Sequence, residues 1–475
     1  MIYRTIRNDM LRNKAITLTT MIFVAAASML VSLAAILVVN LTGAIDTLMN
    51  EAKTPHFMQM HSGDLDSARL TAFAEQHNDI ETYQVLEFLN IDGASIIFEE
   101  GSLSGSIHDN GISTQSSKFD YLLDLNGNVI QASDGEIYVP IPYMQAGLAK
   151  IGDNVQVVGK KFSVAGFTRD SQMNSLLSTS KRFLVSDNDY ATIRDSGSVE
   201  YLIEFRLTDR GALGAFETAY AAAGLEANGS TVTYPLFKLL NGLSDGLMIG
   251  VILLISALVI AVAFLCIRFT LLAKIQEDYR EIGVMKAIGL RVSDIKRIYL
   301  AKYAMIAGLG SIFGFALSFL FRGMLLENIR LYMGESNSAA LALFFAMTSV
   351  LLVFLAIIAY VNGVLRRFRQ ISPAEAIRFG ISQEQSGAGK HFRLSTNRLL
   401  GTNAFLGMND VLGRRKIYLT MLAVLVISAF IIIVPQNLHN TLSSNDFITY
   451  MGVGISDLRI DIQQTDNIPE RASEI

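Results

Sequence analysis

Cysteine is all but missing from these 475 residues: Cys266 stands alone. No internal disulfide can brace the chain, and no cysteine-based metal site can form. Charge is scarce as well, at 17% against 51% hydrophobic residues, a balance too apolar for an ordinary soluble protein. The scarcity is concentrated in five runs without Asp, Glu, Lys or Arg: residues 15–45, 246–267, 303–321, 336–365 and 417–445, the last with an apolar core ending near Pro435. Each is long enough for a hydrocarbon core that needs about 20 residues, so the chain reads as a membrane protein. No ionisable group sits at the centre of a run, which argues against proton- or sodium-coupled transport.

Catalytic chemistry is also missing. Ser386-Gly387-Ala388-Gly389-Lys390-His391 looks like half a phosphate loop, but the required first glycine falls on Glu384 and the hydroxyl after the lysine is replaced by His391. It reads as a flexible linker, and any nucleotide must bind another polypeptide. His56 and His61 near Asp64 and Asp66 could hold a metal, though no second ligand group shows helical or turn spacing, and solvated residues at the base of a domain are the plainer reading. In Gly101-Ser102-Leu103-Ser104-Gly105, Leu103 stands where a nucleophile elbow needs serine. The sequence therefore predicts neither an enzyme nor a metal site.

What is present sets an orientation. Lys and Arg gather in the N-terminal tip, in the loop after the second run and in the segment after the fourth, which the positive-inside rule places in the cytoplasm. Residues 41–245 carry 27 acidic and 13 basic side chains, a net of −14, and the rest of the chain carries +10. The long polar region therefore lies outside and is the size of a domain. The first uncharged run is too long for a signal peptide and reads as a retained anchor.

Between the second and third runs, Arg280, Glu281, Lys286 and Arg291 alternate with Ile282, Val284, Met285 and Ile288. As a helix this segment has an apolar stripe and a charged flank. Gly289 ends it, and Ser293 is placed to cap the next helix, which starts near Asp294. The run Arg280-Glu281-Ile282-Gly283-Val284-Met285-Lys286-Ala287-Ile288-Gly289, followed by Asp294-Ile295, resembles the FtsX-like permease domain of ABC transporters, the family of the MacB and lipoprotein-releasing permeases. Pro373-Ala374-Glu375-Ala376-Ile377-Arg378 is similar to a cytoplasmic stretch of that family. The resemblance implies that Glu281, Ile282, Gly283, Val284, Met285, Lys286, Ala287, Ile288 and Gly289 form a coupling helix. That helix would dock on a cytoplasmic ABC ATPase, acting as a dimer, with Ile282, Val284, Met285 and Ile288 in its groove. An ordinary helix lying against lipid headgroups is the alternative. Gly310 and Gly314 have the spacing that lets two membrane helices approach closely.

Residues 57–60 and 83–91 have strand composition, and Asp92-Gly93, Asn126-Gly127 and Asp134-Gly135 are dipeptides of the kind that close hairpins. Residues 135–170 resemble part of the MacB-like periplasmic domain: a strand ending at Pro140, a helix over 143–150, then Gly152-Asp153 turning into paired strands. A helix is predicted over 212–224, and a short outer turn over about 322–335. At an offset of 401 residues, 7–19 repeats in 408–420, with Asn8, Asp9 and Leu11 matching Asn409, Asp410 and Leu412. The repeat predicts a fragment of a two-repeat permease, with a natural five-span chain as the alternative.

The expected fold is an α-helical integral membrane protein with a large mixed α/β extracytoplasmic domain inserted between the first and second transmembrane helices. Its segments are a cytoplasmic elbow helix (1–14), first span and stalk (15–45), extracytoplasmic domain (46–245), second span (246–270), coupling-helix loop (271–297), third span (298–322) and fourth span (338–364). A cytoplasmic linker (365–400), second elbow (401–415), fifth span (416–438) and the start of a second outer domain (439–475) follow. The expected function is the permease subunit of an ABC complex in a bacterial cell membrane, exporting or extracting an amphiphilic peptide, lipid, lipoprotein or antibiotic. The chain itself would bind no cofactor; ATP and Mg²⁺ would sit on the partner. Besides the ATPase, the expected partners are the lipid bilayer and an accessory extracytoplasmic protein, with no nucleic acid. A non-transporting subunit that activates a cell-wall hydrolase or sensor kinase, and a membrane-anchored binding protein without an ATPase, are the competing readings.

Overall fold

The computed structural model describes residues 14–104, 106, 108–175, 178–379, 401–413 and 415–442. The predicted elbow helix up to residue 13, the Ser386 to His391 linker and the tail from 443 on lie outside the described residues. Among the described residues, five helices are long and apolar enough to cross a membrane: Thr17–Glu51, Tyr234–Glu277, Val292–Met333, Ala339–Arg369 and Tyr418–Asn437. The described chain divides into two compact units, one built from the residues up to Leu37, Met248–Met324 and those from Ala340 on, the other from Val38–Leu247 and Leu325–Ala339.

The first unit is helical. Its elements are the early part of α1 (Lys14–Glu51), the later part of α6 (Tyr234–Glu277), α7 (Tyr279–Ala287), most of α8 (Val292–Met333), α9 (Ala339–Val364), α10 (Pro373–Phe379), α11 (Thr402–Gly413) and α12 (Arg415–Leu442). One core runs through Val24, Val259, Leu271, Ile282, Ile295, Tyr303, Ile357, Phe368 and Ala376. Against α1, α8 presents small residues. A methyl group built on Gly314 would lie 2.2 Å from the Ala25 carbonyl oxygen, and one on Gly310 2.9 Å from the Val24 side chain. Ser28 Oγ donates to Ser311 Oγ at 3.3 Å, and the Ser32 and Ser318 hydroxyls meet at 3.0 Å, both pairs buried. Glycine lets the two backbones close to a distance at which serine hydroxyls reach across.

The second unit is built on one mixed sheet of eleven strands among the described residues, in the order β11-β1-β10-β2-β5-β9-β6-β8-β7-β3-β4. The strands are β1 (Phe57–Ser62), β2 (Ile80–Ile91), β3 (Ile96–Phe98), β4 (Gly101–Ser102), β5 (Asp109–Ser113), β6 (Glu136–Pro140), β7 (Asn154–Val157), β8 (Lys160–Thr168), β9 (Ser180–Leu184), β10 (Ser198–Leu207) and β11 (Thr231–Thr233). β5 pairs with β9 and β6 with β8 in parallel; the other neighbours are antiparallel. Short helices α2 (Ser67–Gln76), α3 (Ile141–Gln145), α4 (Asp187–Ile193) and α5 (Leu213–Ala222) complete it. Leu70 and Phe73 of α2 and Phe216 and Tyr220 of α5 repeat at helical spacing and bury against Phe57 and Phe205. The Phe57 and Phe216 rings meet edge-on at 5.1 Å.

Several sequence expectations change here. The helix expected over 143–150 is α3, which begins earlier because Pro142 suits a first turn. It stops at Gly147, whose φ of +76° is left-handed. Asp92 does not close a hairpin: its side chain accepts from the Ala94 amide to start a 3₁₀ turn, and β2 and β3 are not neighbours. Asp134-Gly135 likewise leads into β6, which pairs with β8 and β9. Asn126-Gly127 does turn the chain between Leu123 and Val129. The outer turn expected over 322–335 is helical to Met333, since Leu326, Ile329, Tyr332 and Met333 bury one face. The turn is confined to the residues after it, with Gly334 at φ +86°.

The second unit also buries charge. Arg182 on β9 donates through Nε to Asp170 at 2.8 Å and through a terminal nitrogen to Asp120 at 2.6 Å. Glu204 on β10 accepts from Gln84 at 2.8 Å and Gln172 at 2.5 Å. Its carboxyl is held well above the usual range, first by loss of solvent and then by the Asp120 charge.

Two expectations follow from this packing. The folded chain holds the Glu204 proton above the ordinary 4.5, so that group's stabilising contribution is complete below 4.5 and is lost as pH rises through the folded value. Glu204→Gln should therefore flatten the loss of stability as pH rises above 4.5, measured by denaturant melts of the full chain; an unchanged slope would refute a buried proton. Gly314→Leu should lower stability in detergent by about 1–3 kcal/mol. Gly323→Leu, where an added methyl meets nothing within 4 Å, should melt like wild type.

Candidate functional site

The charged segment between α6 and α8 folds as α7, with Glu281 in its first turn and Lys286 in its last, each matched to the helix dipole. Asp278, just before it, makes no capping bond with its side chain. It accepts from the Tyr299 hydroxyl at 2.6 Å and pairs with Lys274 at 2.9 Å, which ties the entry of α7 to α8. At the exit, the Ile288, Gly289 and Leu290 amides donate to the Val284, Lys286 and Met285 carbonyls. Gly289 has a φ of +92°, a left-handed conformation that stops a helix and favours glycine. The next helix begins at Val292, so Ser293 lies inside its first turn and does not cap it; the Arg291 carbonyl receives the Asp294 and Ile295 amides.

One side of α7 is sealed. Ile282, assigned to the exposed groove set from sequence, is fully buried in the core with Leu271, Ile295 and Ala376. Gly283 is buried too, and a methyl built on it would stand 2.5 Å from the Ala376 Cβ. Lys286 Nζ donates to the Ile371 carbonyl at 2.6 Å, and partial burial lowers its pKa. α7 is thus clamped to α10 through a Gly-Ala contact and to the residues leading into α10 through a lysine. Sequence reading marked both segments but not that they touch; the small residue in each was the available signal. Met285 is half-buried against the same core.

The other side is open and apolar at its tip. Val284 is 44% exposed, Ile288 73% and Leu290 42%; Glu281, Ala287 and Gly289 are exposed beside them. Leu290 lies beyond the expected set yet belongs to the same surface. Gly310 and Gly314 stand apart from it, at the contact of α8 with α1.

His56, His61 and Asp66 of the second unit are engaged structurally. His56 Nδ1 accepts from the Leu207 amide at 2.9 Å, and burial pulls its pKa down to about 4. His61 Nε2 meets the Asp64 carbonyl at 2.9 Å, and Asp66 caps α2 through the Ala68 and Arg69 amides. No group of three His, Cys, Asp or Glu suited to a metal occurs among the described residues.

Residues 253–372 match the family model described as FtsX-like permease C-terminal, a stretch that contains α7 and reaches the start of α10. Among solved structures the chain is similar to the periplasmic region of MacB from Actinobacillus actinomycetemcomitans, with 13% identity over 39% of this chain and 91% of that one, at a TM-score of 0.24. No curated protein matches. What the family match shows is that residues 253–372 are similar to an FtsX-like permease C-terminal domain.

Proposed function

We propose that this chain is the transmembrane subunit of an ABC-type complex, with α7 as the foot on which a separate ATPase dimer pushes. The apolar tip of α7 carries the reading. Val284, Ile288 and Leu290 are held in the open on a helix whose opposite side is pinned to α10 by Gly283 and Lys286. A pinned helix transmits force; a loosely attached one would yield. ATP and Mg²⁺ would bind the partner, and the second unit would face outward and act on an amphiphilic substrate.

Transmission would run along α8, a continuous helix from Val292 to Met333. Its last carbonyls are held by the loop after β8. Arg169 donates to the Arg330 and Leu331 carbonyls at 2.8 and 2.9 Å, and Asn174 to the Tyr332 carbonyl at 2.5 Å. A shift of α8 would thereby reach the sheet.

Co-purification from native membranes is expected to bring down a phosphate-loop ATPase with the wild-type chain. Val284→Asp combined with Ile288→Asp should weaken that association at least about tenfold, near 1.4 kcal/mol, while the chain stays in the membrane. Undiminished association would sink the coupling role. Arg169→Gln should leave ATPase association intact but abolish ATP-dependent changes in hydrogen exchange over 169–175; a wild-type response would show that force takes another route.

A further inference from the structure

We infer that the 3₁₀ turn Leu365–Gln370 and the first turns of α8 form a binding site for the phosphodiester headgroup of an anionic phospholipid. The inference rests on the reading of α9 as a membrane span.

α9 has 26 residues, about 39 Å of helix at 1.5 Å per residue, against a hydrocarbon core of about 30 Å. The chain passes from Val364 directly into Leu-Arg-Arg-Phe-Arg-Gln. At about 2 Å per residue, Arg366, Arg367 and Arg369 follow within about 10 Å of the last apolar turn, the depth of a headgroup layer. Their direction is fixed by what lies between them. Leu365 and Phe368, three apart, are fully buried, so the three arginines are exposed. The Phe368 ring meets Tyr299 of α8 edge-on at 5.0 Å. Lys296 lies one turn before Tyr299 on the same face of α8, within reach of the Arg369 and Arg366 charges.

Like charges gathered this closely need a counter-charge. None of the ion pairs among the described residues involves Lys296, Arg366, Arg367 or Arg369. The nearby carboxylate of Asp278 is already committed to Lys274 and Tyr299. Guanidinium groups offer paired donors that match phosphate oxygens, and a lipid phosphate is the anion present at this depth. An acidic surface of the ATPase is the less favoured occupant, because the arginines follow the span immediately whereas α7 presents an apolar tip.

The full chain is reconstituted in nanodiscs of phosphatidylcholine with about one-third phosphatidylglycerol, extracted, and its retained lipid identified by native mass spectrometry. Wild type should retain phosphatidylglycerol in preference to phosphatidylcholine, and salt at about 0.5 M should weaken the preference. Lys296→Gln, Arg366→Gln and Arg369→Gln should each lower it about fivefold, equivalent to about 1 kcal/mol per charge near the surface. Arg366→Lys combined with Arg369→Lys should retain most of it. No headgroup preference in the wild-type chain, which needs no variant, or an unchanged preference in the triple Gln variant overturns the site. So does loss of ATPase association in the triple variant with lipid retention intact, which would assign the patch to the protein partner. Binding of inorganic phosphate without lipid, with displacement of phosphatidylglycerol by millimolar phosphate, would overturn a lipid source. Release of the wild-type chain from membranes by alkaline carbonate would instead defeat the membrane reading on which the site rests.

Discussion

A helix ends with carbonyl groups that have no helical partner. At the end of α8 two of these, on Leu331 and Tyr332, are taken by Arg169 and Asn174 of the sheet-bearing unit, and Arg169 also donates to the Arg330 carbonyl, which the Gly334 amide already bonds. The guanidinium also places positive charge against the negative end of the helix dipole. The same loop reaches α6, where Asn241 donates to the Ser171 carbonyl at 2.7 Å and Ser175 donates to the Leu240 carbonyl at 2.9 Å. α6 in turn pairs with α1 through Lys238 and Asp46 at 2.5 Å. Three helix segments and one loop are therefore joined by polar contacts, and in the proposed mechanism a movement of α8 must be felt by the sheet.

Within the helical unit the comparable devices are small residues. In lipid, helices gain little by burying apolar area against each other, so close approach and interhelical hydrogen bonds must hold them. Gly314 against the Ala25 backbone and the two serine pairs supply this between α1 and α8. Outside the apolar helices, Gly283 makes a similar close approach to Ala376 between α7 and α10. The second contact explains why a Pro-Ala-Glu-Ala stretch ninety residues from α7 belongs to the same site: Ala376 is the residue small enough to accept a glycine backbone.

The long apolar helices and the short helix α7 were legible because their signal is local. Uncharged runs, a stripe of apolar residues and a terminal glycine each act within a few turns. Long-range choices were not. Ile282 and Val284 look equivalent in the sequence, yet the one is buried and the other exposed, because α10 covers only one side of α7. The end of α8 was misread as a turn since its charges, Arg322, Glu327 and Arg330, outweighed the stripe of Leu326, Ile329 and Met333. In the sheet, Asp92-Gly93 has hairpin chemistry but its flanking strands end up many places apart; which strands pair is decided by contacts that no dipeptide encodes.

The buried charges bear on that same pairing problem. A buried ion pair is weak evidence for stability, because desolvation offsets much of the attraction. Breaking one by mispairing is costly all the same. Arg182 on β9 finds Asp120 from the segment between β5 and β6, and Asp170 from the end of β8. Glu204 and Gln84 stand directly opposite in the β10–β2 register and share a hydrogen bond. A strand shifted by one residue would turn these groups to the other face and leave charges buried without partners. With parallel and antiparallel neighbours mixed in one sheet and no disulfide possible, the polar network penalises wrong arrangements that hydrophobic burial alone would tolerate.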